Sequence, residues 1–181
     1  MKNWCYTIPE GEHKGKTLWS GRYCAVSAFV FCEFPDGWKI LANKRGSGTP
    51  DYQGKWNAPC GYLEADESAK QGCAREVYEE TGVKINPDKF QLIHVETEPE
   101  LCNNGNVTLR YMAILNYGSD NTSVSKEAVL NGNGEENEVE SISWISVEDI
   151  DKYEWAFNHL NTIKEIVNSY IMFSSKFSDN R

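Results

Sequence analysis

Residues 61–83 read GYLEADESAKQGCAREVYEETGV, and they carry the main structural signal of the chain. Five glutamates and one arginine lie in this segment, which begins at a glycine and ends with Gly82 and Val83. Carboxylates at regular spacing behind a glycine loop are what the binding of divalent metals against a phosphate chain requires. The segment therefore predicts a class of site as well as a local structure.

The spacing within this segment predicts a helix from about residue 67 to residue 81. Asp66 or Ser68 is a suitable N-cap, because its side-chain oxygen can accept a backbone N–H of the first turn. Gly82 is a suitable C′ residue, because glycine tolerates the left-handed backbone that ends many helices. The apolar face of this helix is expected to pack on a core, and it comprises Ala69, Cys73, Ala74, Val77 and Tyr78.

Glu76, Glu79 and Glu80 fall on one stripe of this helix, since each residue turns the chain by about 100°. Like charges at this spacing repel one another, and hard cations with oxygen ligands compensate the repulsion. Arg75 precedes Glu79 by four residues and can pair with it. A solvated acidic face is the alternative for the glutamates alone, but the glycines and the arginine that fall in register with them favour a metal site.

The segment resembles the signature of the Nudix hydrolases, G-x5-E-x7-R-E-U-x-E-E-x-G-U, where U is aliphatic. Residues 54–61, GKWNAPCG, resemble the family's approach to this box, with Cys60 where a second glycine is common. The resemblance covers about residues 21–172 and implies an α+β fold, an α/β/α sandwich with a mixed β-sheet between helices. Every specified position of the box is matched, by Gly61, Glu67, Arg75, Glu76, Val77, Glu79, Glu80, Gly82 and Val83.

The resemblance implies a metal-dependent pyrophosphohydrolase acting on a nucleoside diphosphate linked to another group. It makes Glu76 and Glu80 the main ligands of Mg²⁺ or Mn²⁺. Glu79 is implied as a further ligand or as a partner bridged by water, and the Gly61 carbonyl as a ligand from the loop. Arg75 is expected to orient the box. Such ions neutralise the phosphates and activate a water when a P–O–P bridge is hydrolysed.

The general base is predicted to be a box glutamate or Glu138. The acidic run at residues 135–140 precedes a strand-like segment, and Glu138 lies six residues before Trp144, as in the family segment that supplies an extra carboxylate. A solvated loop is the alternative for Glu138, and it is the preferred interpretation for Glu135, Glu136 and Glu140. The predicted catalytic set is Arg75, Glu76, Glu79 and Glu138.

The sequence gives less information about the residues that contact the substrate than about the metal ligands. Lys44-Arg45 resembles a basic pair of the family, so Arg45 is a candidate phosphate contact, with a solvated strand end as the alternative. Arg110 is a second candidate, on a strand expected to border the metal helix. Aromatic side chains can stack on a base. The candidates are Tyr23, Phe29, Tyr52 and Tyr111, although most aromatic residues of such a domain are expected in the core.

The length of 181 residues predicts one domain with short appendages. We expect an N-terminal extension at residues 1–20, a Nudix hydrolase domain at 21–173 and a C-terminal tail at 174–181. The extension can form an extra strand, cover the site or contribute to a homodimer. Strand signals fall at about residues 23–33, 38–44, 90–96, 107–116 and 142–145, and a final helix is expected from about 155 to 173.

The net charge and the absence of targeting patterns limit the classes of partner and the location that we expect. The net charge of −9 argues against nucleic-acid binding, whereas metals would still let an acidic site accept an anionic nucleotide substrate. The first residues lack the apolar segment of a secretory peptide, and the longest apolar run, residues 23–34, is too short to span a bilayer. Six cysteines without a C-x-x-C pair argue against zinc. We therefore expect a cytoplasmic protein with no membrane partner.

Three functions from different classes remain open at this point. The first is hydrolysis of ADP-ribose, dinucleotides or (deoxy)nucleoside triphosphates. The second is a non-catalytic Nudix-type module that binds a nucleotide and regulates another process; the intact set of box glutamates argues against it. The third is a metal-buffering or structural protein, in which Gly61 and the Trp56–Pro59 approach have no role.

Overall fold

The computed structural model describes residues 5–19, 21–98, 100, 105–124 and 137–171. Its strands are β1 (Cys5–Thr7), β2 (Thr17–Trp19), β3 (Cys24–Phe34), β4 (Gly37–Arg45), β5 (Trp56–Asn57), β6 (Cys60–Tyr62), β7 (Gln91–Glu96), β8 (Val107–Asn116) and β9 (Val139–Ser146). Its helices are α1 (Ala69–Thr81) and α2 (His159–Ile166), with a π-helical turn at Val167–Ile171 and 3₁₀ turns at Pro87–Lys89 and Ile150–Lys152.

Strand β3 is the centre of a mixed seven-stranded sheet. One edge of β3 pairs in parallel with β8, and the other edge pairs with β4 only over residues 31–34. Over residues 25–27 this second edge pairs instead with β6. Strand β7 flanks β8, while β5 and β9 pair with β4. The first half of β3 is therefore separated from β4, and β6 with Gly61 occupies that position.

The sheet carries an apolar core on each face, because successive side chains of a strand point to opposite sides. Val26 of β3 lies on the face covered by α1, where it belongs to the same core cluster as Val77. Phe29 lies on the opposite face and belongs to a second cluster with Ile163 of α2. The predicted fold class, a mixed sheet between helices, is confirmed.

Helix α1 begins with a capping box at Ser68. The Ser68 hydroxyl accepts the backbone N–H of Gln71, and the Gln71 side chain accepts the backbone N–H of Ser68 at 2.9 Å. The N-cap is therefore Ser68 rather than Asp66, and the helix starts two residues later than predicted. It ends as predicted at Gly82, whose φ of 76° is left-handed and whose N–H donates to the Tyr78 carbonyl.

The predicted start of the final helix at Trp155 is wrong. Trp155 forms a β-bridge with Trp56, and the backbone N–H of Ala156 donates to the Trp56 carbonyl, so this stretch is held in an extended pairing. Phe157 and Asn158 then adopt positive φ angles of 54° and 60°, which a helix cannot include. Helix α2 begins only after this turn, at His159.

All five predicted strands are present, with ends that differ by up to three residues. The prediction missed β5 and β6, because strands of two and three residues are too short to show alternation. Strands β1 and β2 form a separate two-stranded antiparallel sheet, so the extension does contribute strands. Residues 1–4, Cys102, Glu135, Glu136 and the tail at 174–181 lie outside the described residues, and the predicted domain bounds stay predictions.

Two further features concern membrane spans and cysteine chemistry. Within the described part of the chain, no helix combines the length and the apolar character needed to cross a membrane. The described cysteines all carry free thiols, and they are Cys5, Cys24, Cys32, Cys60 and Cys73.

We expect Gly82→Ala to lower the free energy of unfolding by about 1–2 kcal/mol, because a Cβ disfavours the left-handed backbone that ends α1. Gly82→Asn is the matched control, since asparagine tolerates this conformation better, and it should lose clearly less. Urea denaturation of the three proteins measures both differences. Equal losses for alanine and asparagine would contradict the assigned cap.

Candidate active site

The carboxylates of Glu76 and Glu80 are buried beside the backbone of β6, with the two residues 8% and 4% exposed. A Cβ at Gly61 would lie 2.3 Å from Oε1 of Glu76, so only glycine permits this approach. The backbone N–H of Cys60 donates to Oε2 of Glu80 at 3.2 Å. The fold therefore brings the glycine of the box and two of its glutamates together, as the sequence predicts.

Arg75 links the glutamates of the box to the loop that precedes α1. Its Nη1 donates to Glu76 Oε1 at 2.7 Å and to Glu79 Oε2 at 3.0 Å, which is the pair expected from helical spacing. Its Nε and Nη2 bind both oxygens of Glu67, and Nη2 also donates to the Tyr62 carbonyl. Arg75 therefore holds the loop, the helix and β6 in one arrangement, which is an orienting role.

The buried carboxylates carry an electrostatic cost in this arrangement. Burial raises the pKa of Glu76 to about 7, although Arg75 opposes the shift and the charges of Glu79 and Glu138 add to it. Burial also raises the pKa of Glu80 well above its usual range, and Glu76 and Glu138 raise it further. The backbone N–H of Cys60 and the charge of Arg45 lower it only in part. Negative charge at this position is therefore undercompensated by the protein.

The chemistry of these side chains fits a hard divalent cation. Carboxylate and carbonyl oxygens are the ligands that Mg²⁺ and Mn²⁺ prefer, and the undercompensated charge supplies a reason to bind them. Among the described residues, no three His, Cys, Asp or Glu side chains converge with metal-ligand geometry. Glu76 and Glu79 are bonded to Arg75 instead. Each of these two carboxylates uses one oxygen in its bond to Arg75, so the other oxygen can still accept a cation.

Glu138 lies on the same side of the fold although it is distant in sequence. Its backbone carbonyl accepts the N–H of Gly46 at 2.7 Å, and the Asn137 carbonyl accepts the N–H of Gly48 at 2.9 Å. A Cβ at Gly46 would lie 2.0 Å from the Asn137 oxygen, so this contact also requires glycine. Glu138 is half-buried in the cavity wall, and its charge acts on Glu76 and Glu80. A freely solvated loop therefore does not describe it.

Arg45 is buried, which excludes the alternative of a solvated strand end. Its Nη2 donates to Asp51 Oδ1 at 2.7 Å, and its Nε donates to the Asp51 carbonyl. Its guanidinium also lies 4.7 Å from the centre of the Phe157 ring. The side chain lines the cavity and contributes positive charge near Glu80.

Arg110 is buried on the face of the sheet that α2 covers, opposite to α1. Its Nη1 donates to the Thr162 hydroxyl of α2, and its Nη2 lies 3.7 Å from Glu96 Oε2. The expectation that its strand borders α1 holds for the backbone of β8, but the side chain points away from that helix. Arg110 still reaches the wall of the same cavity.

A cavity of about 470 Å³ lies at the start of β3, and its wall includes Arg45, Arg110 and Glu138. Gly61 also lines it, whereas the carboxylates of Glu76 and Glu80 are outside the lining. Of the four aromatic candidates for base stacking, Phe29 and Tyr111 are buried in the core, and Tyr23 is exposed outside the cavity lining. Tyr52 is the one that lines the cavity. The cavity wall comprises Ala25, Val26, Ser27, Arg45, Pro50, Asp51, Tyr52, Cys60, Gly61, Tyr62, Glu100, Asn106, Thr108, Arg110, Glu138, Phe157, Asn158 and His159.

His159 is a cavity residue that the sequence did not single out. Its Nδ1 accepts the backbone N–H of Ala58 at 3.1 Å, and its ring contacts Phe29 edge-on. Burial lowers the pKa of His159 to about 3, and the charges of Arg110 and Arg45 lower it further, so the ring is neutral at pH 7. The bond to Ala58 positions the ring at the start of α2, which no short-range pattern indicates.

The chain matches known proteins of one family. A family model described as NUDIX domain matches residues 24–166. The NUDIX domain of Shewanella oneidensis NrtR, solved with ADP ribose, has a TM-score of 0.67 at 21% identity, over 82% of this chain and 88% of that one. A bifunctional NMN adenylyltransferase/ADP ribose pyrophosphatase of Francisella tularensis, solved with AMP and a Mn ion, has a TM-score of 0.64 at 18% identity, over 82% and 42%. Phosphatase NudJ of Escherichia coli K12 is 44% identical over 45 residues, 25% of this chain and 29% of NudJ.

The fold and the glutamate cluster define a Nudix domain, and the chain belongs to the Nudix family. The family prediction is thereby confirmed. The chain matches less than a third of the length of NudJ, and the solved structures are similar in fold at low sequence identity. The roles of individual site residues therefore remain predictions.

In metal-free buffer at pH 7.5, we expect Glu80→Gln to raise the melting temperature, because it removes a buried charge that Glu76 and Glu138 repel. For a chain of this size, about 2–4 °C corresponds to 1 kcal/mol. Folding raises the pKa of Glu80, so wild-type stability is lost as the pH rises from the ordinary glutamate range through the folded pKa. The gain should therefore shrink toward pH 5.

Glu148→Gln, at an exposed position, is the control. A lower melting temperature for Glu80→Gln at pH 7.5 would contradict this electrostatic account.

Proposed function

We propose that this protein is a pyrophosphohydrolase that cleaves the P–O–P bridge of a nucleoside diphosphate derivative with the help of Mg²⁺ or Mn²⁺. The observation that carries the proposal is the pair of buried, undercompensated carboxylates of Glu76 and Glu80 against Gly61, at the edge of a cavity that two arginines line. A solvated acidic helix or a purely structural one gives no reason for this burial.

Glu76, Glu80, Glu79 and the Gly61 carbonyl are the residues that would hold the metal. When bound, such ions neutralise phosphate charge, activate a water and stabilise the leaving oxygen. The protein contributes orientation, because Arg75 and the glycine contact hold the carboxylates against Gly61, which lines the cavity. Arg45 supplies positive charge on the same wall, where it can contact a phosphate.

Glu138 is our candidate for the general base. It lines the cavity close enough to Glu76 and Glu80 for its charge to act on both. In the reaction, the oxygen of a water forms a bond to one phosphorus, the bridging P–O bond breaks, and Glu138 accepts the proton of the water. The two products each carry one of the phosphates. A positioned base of this kind contributes about 10²–10⁴-fold to the rate.

The comparisons support this substrate class at the level of the family. The similar domain of NrtR was solved with ADP ribose, and the Francisella protein was solved with AMP and a Mn ion. We therefore propose that this chain also acts on a nucleotide-derived substrate and uses a divalent metal. The absence of nucleic-acid partners, a cytoplasmic location and a homodimer stay predictions from the sequence.

We expect release of a nucleoside monophosphate from at least one of ADP-ribose, a dinucleotide or a (deoxy)nucleoside triphosphate, in the presence of Mg²⁺ or Mn²⁺ and not in EDTA. A substrate panel read by chromatography of the products measures this. Glu79→Gln and Glu80→Gln should abolish turnover while circular dichroism shows the fold retained. Absence of turnover across the panel with both metals would contradict the proposed activity.

We expect Glu138→Gln to lower kcat by at least about 10²-fold if Glu138 is the base, because glutamine cannot accept the proton. Glu140→Gln is the matched control. It lies two residues away and pairs with Lys44 on the surface, so it should retain near wild-type kcat. Similar kcat values for the two variants would contradict this assignment and indicate that a glutamate of the box is the general base.

A non-catalytic nucleotide-binding module is the second candidate function. The observation in its favour is that Arg75 bonds to Glu76 and Glu79 and so compensates part of their charge without a metal. Tight binding of ADP-ribose without turnover in Mg²⁺ or Mn²⁺ would favour this function over hydrolysis.

A further inference from the structure

Two backbone hydrogen bonds join the loop that follows β4 to the turn that precedes β9. The N–H of Gly46 donates to the Glu138 carbonyl at 2.7 Å. The N–H of Gly48 donates to the Asn137 carbonyl at 2.9 Å. We call this pair of bonds the backbone clasp. It links Glu138, our candidate base, to the loop at residues 46–54, part of which lines the cavity.

The backbone clasp requires a glycine at position 46. An added Cβ would lie 2.0 Å from the Asn137 oxygen and 3.1 Å from the carbonyl carbon of Glu138. Carbon atoms in ordinary contact are about 3.5–4.0 Å apart. Both neighbours belong to the backbone, so the rotation of a side chain could not relieve the clash. Any larger residue at Gly46 would therefore separate the loop from the turn that carries Glu138.

The loop side of the backbone clasp is closed by hydrogen bonds of its own. The Gly46 carbonyl accepts the hydroxyl of Thr49 at 2.8 Å, and Thr49 is only 3% exposed. The side-chain amide of Gln53 donates to the Thr49 carbonyl at 2.8 Å and to the Ser47 carbonyl at 3.0 Å. Because these bonds fix the loop, strain introduced at Gly46 would displace the turn at Asn137 instead.

The turn side of the backbone clasp has an uncommon conformation. Asn137 has a left-handed φ of 70°, which asparagine adopts more readily than most residues that carry a Cβ. The ladder between β4 and β9 is also irregular at this end. Between the pairs formed by Lys44 and Arg45, β9 contains one extra residue, Glu140. Bulges of this kind change the direction of neighbouring side chains and are frequent next to active sites.

The direction of the Glu138 side chain matters for its proposed role. Glu138 is half-buried in the cavity wall, whereas Glu140, two residues further on, pairs with Lys44 at 2.7 Å on the surface. A general base has to lie within about 2.6–3.2 Å of the proton that it accepts, or act through one water. A misplacement of about 1 Å can lower a rate by about 10²-fold.

From these observations we propose that Gly46 and Asn137 are positioning residues that direct the Glu138 carboxylate into the cavity. Neither residue lines the cavity, and both act through the backbone of the turn. Gly46 leaves room for the Asn137 carbonyl, and Asn137 supplies the left-handed conformation. The inference rests on the proposed function and, within it, on Glu138 as the general base.

Gly46→Ala should lower kcat by about 10- to 100-fold, because it displaces the base. It should change KM by less than about twofold, because the contacts that bind the substrate stay in place. Gly21→Ala is the matched control, since its backbone is not left-handed and an added Cβ has only its chain neighbours within 4 Å. Steady-state kinetics use whichever of ADP-ribose, NAD⁺ or ATP the wild type hydrolyses fastest with Mg²⁺ or Mn²⁺, and circular dichroism reports the fold.

Substitution of Asn137 tests the same arrangement without a clash. Asn137→Ala should lower kcat by about three- to tenfold, because alanine disfavours the left-handed backbone. Asn137→Gly should keep kcat within about twofold of the wild type, because glycine adopts that conformation freely. Equal kcat values for these two variants would overturn the inference, and this comparison decides the matter if Gly46→Ala does not fold.

A double variant separates positioning from a general structural effect. If Gly46 acts through Glu138, adding Gly46→Ala to Glu138→Gln should lower kcat by less than about a further twofold. A further loss as large as in the single variant would overturn the inference and leave the hydrolase proposal standing, and so would wild-type kcat in Glu138→Gln. Absence of wild-type turnover with all three compounds would instead count against the hydrolase proposal and this inference together.

Discussion

The close approach of a glycine backbone to two buried carboxylates is the constraint on which the site depends. Gly61 lets the Glu76 side chain lie where any Cβ would collide with it, and the neighbouring N–H of Cys60 bonds to Glu80. This contact joins α1 to β6, the strand that lies where β3 and β4 are separated. The fold therefore stabilises a position of high negative charge, and a divalent cation is the partner that would complete it.

Arg75 compensates part of the negative charge of this site in the absence of a metal. It bonds to Glu67, Glu76 and Glu79 at once, so the metal-free site is ordered by ion pairs. Glu80, deeper in the structure, has no such bond to the arginine within the described contacts and keeps a raised pKa.

The sequence predicted the part of the site that lies in short-range register. Gly61, Arg75 and the glutamates are spaced by one loop and one helix, so their proximity follows from helical geometry. Residues brought together by strand order were only partly predictable: Glu138 resembled a family segment, whereas Asn106 and Thr108 gave no signal. Their place in the cavity, across β3 from Gly61, depends on the parallel pairing of β3 with β8. The left-handed turn at Phe157 also has no local signature, and it displaced the predicted start of α2.

Binding of Mn²⁺ to the substrate-free protein tests the central claim most directly. Near pH 6.5, calorimetric titration in buffers of different ionisation enthalpy reports both affinity and proton release. The account requires saturable binding with release of protons, because the raised pKa of Glu76, about 7, leaves its carboxyl partly protonated before the metal enters. Saturable binding should be lost in Glu80→Gln. Absence of saturable binding, or binding unchanged in that variant, would contradict the account.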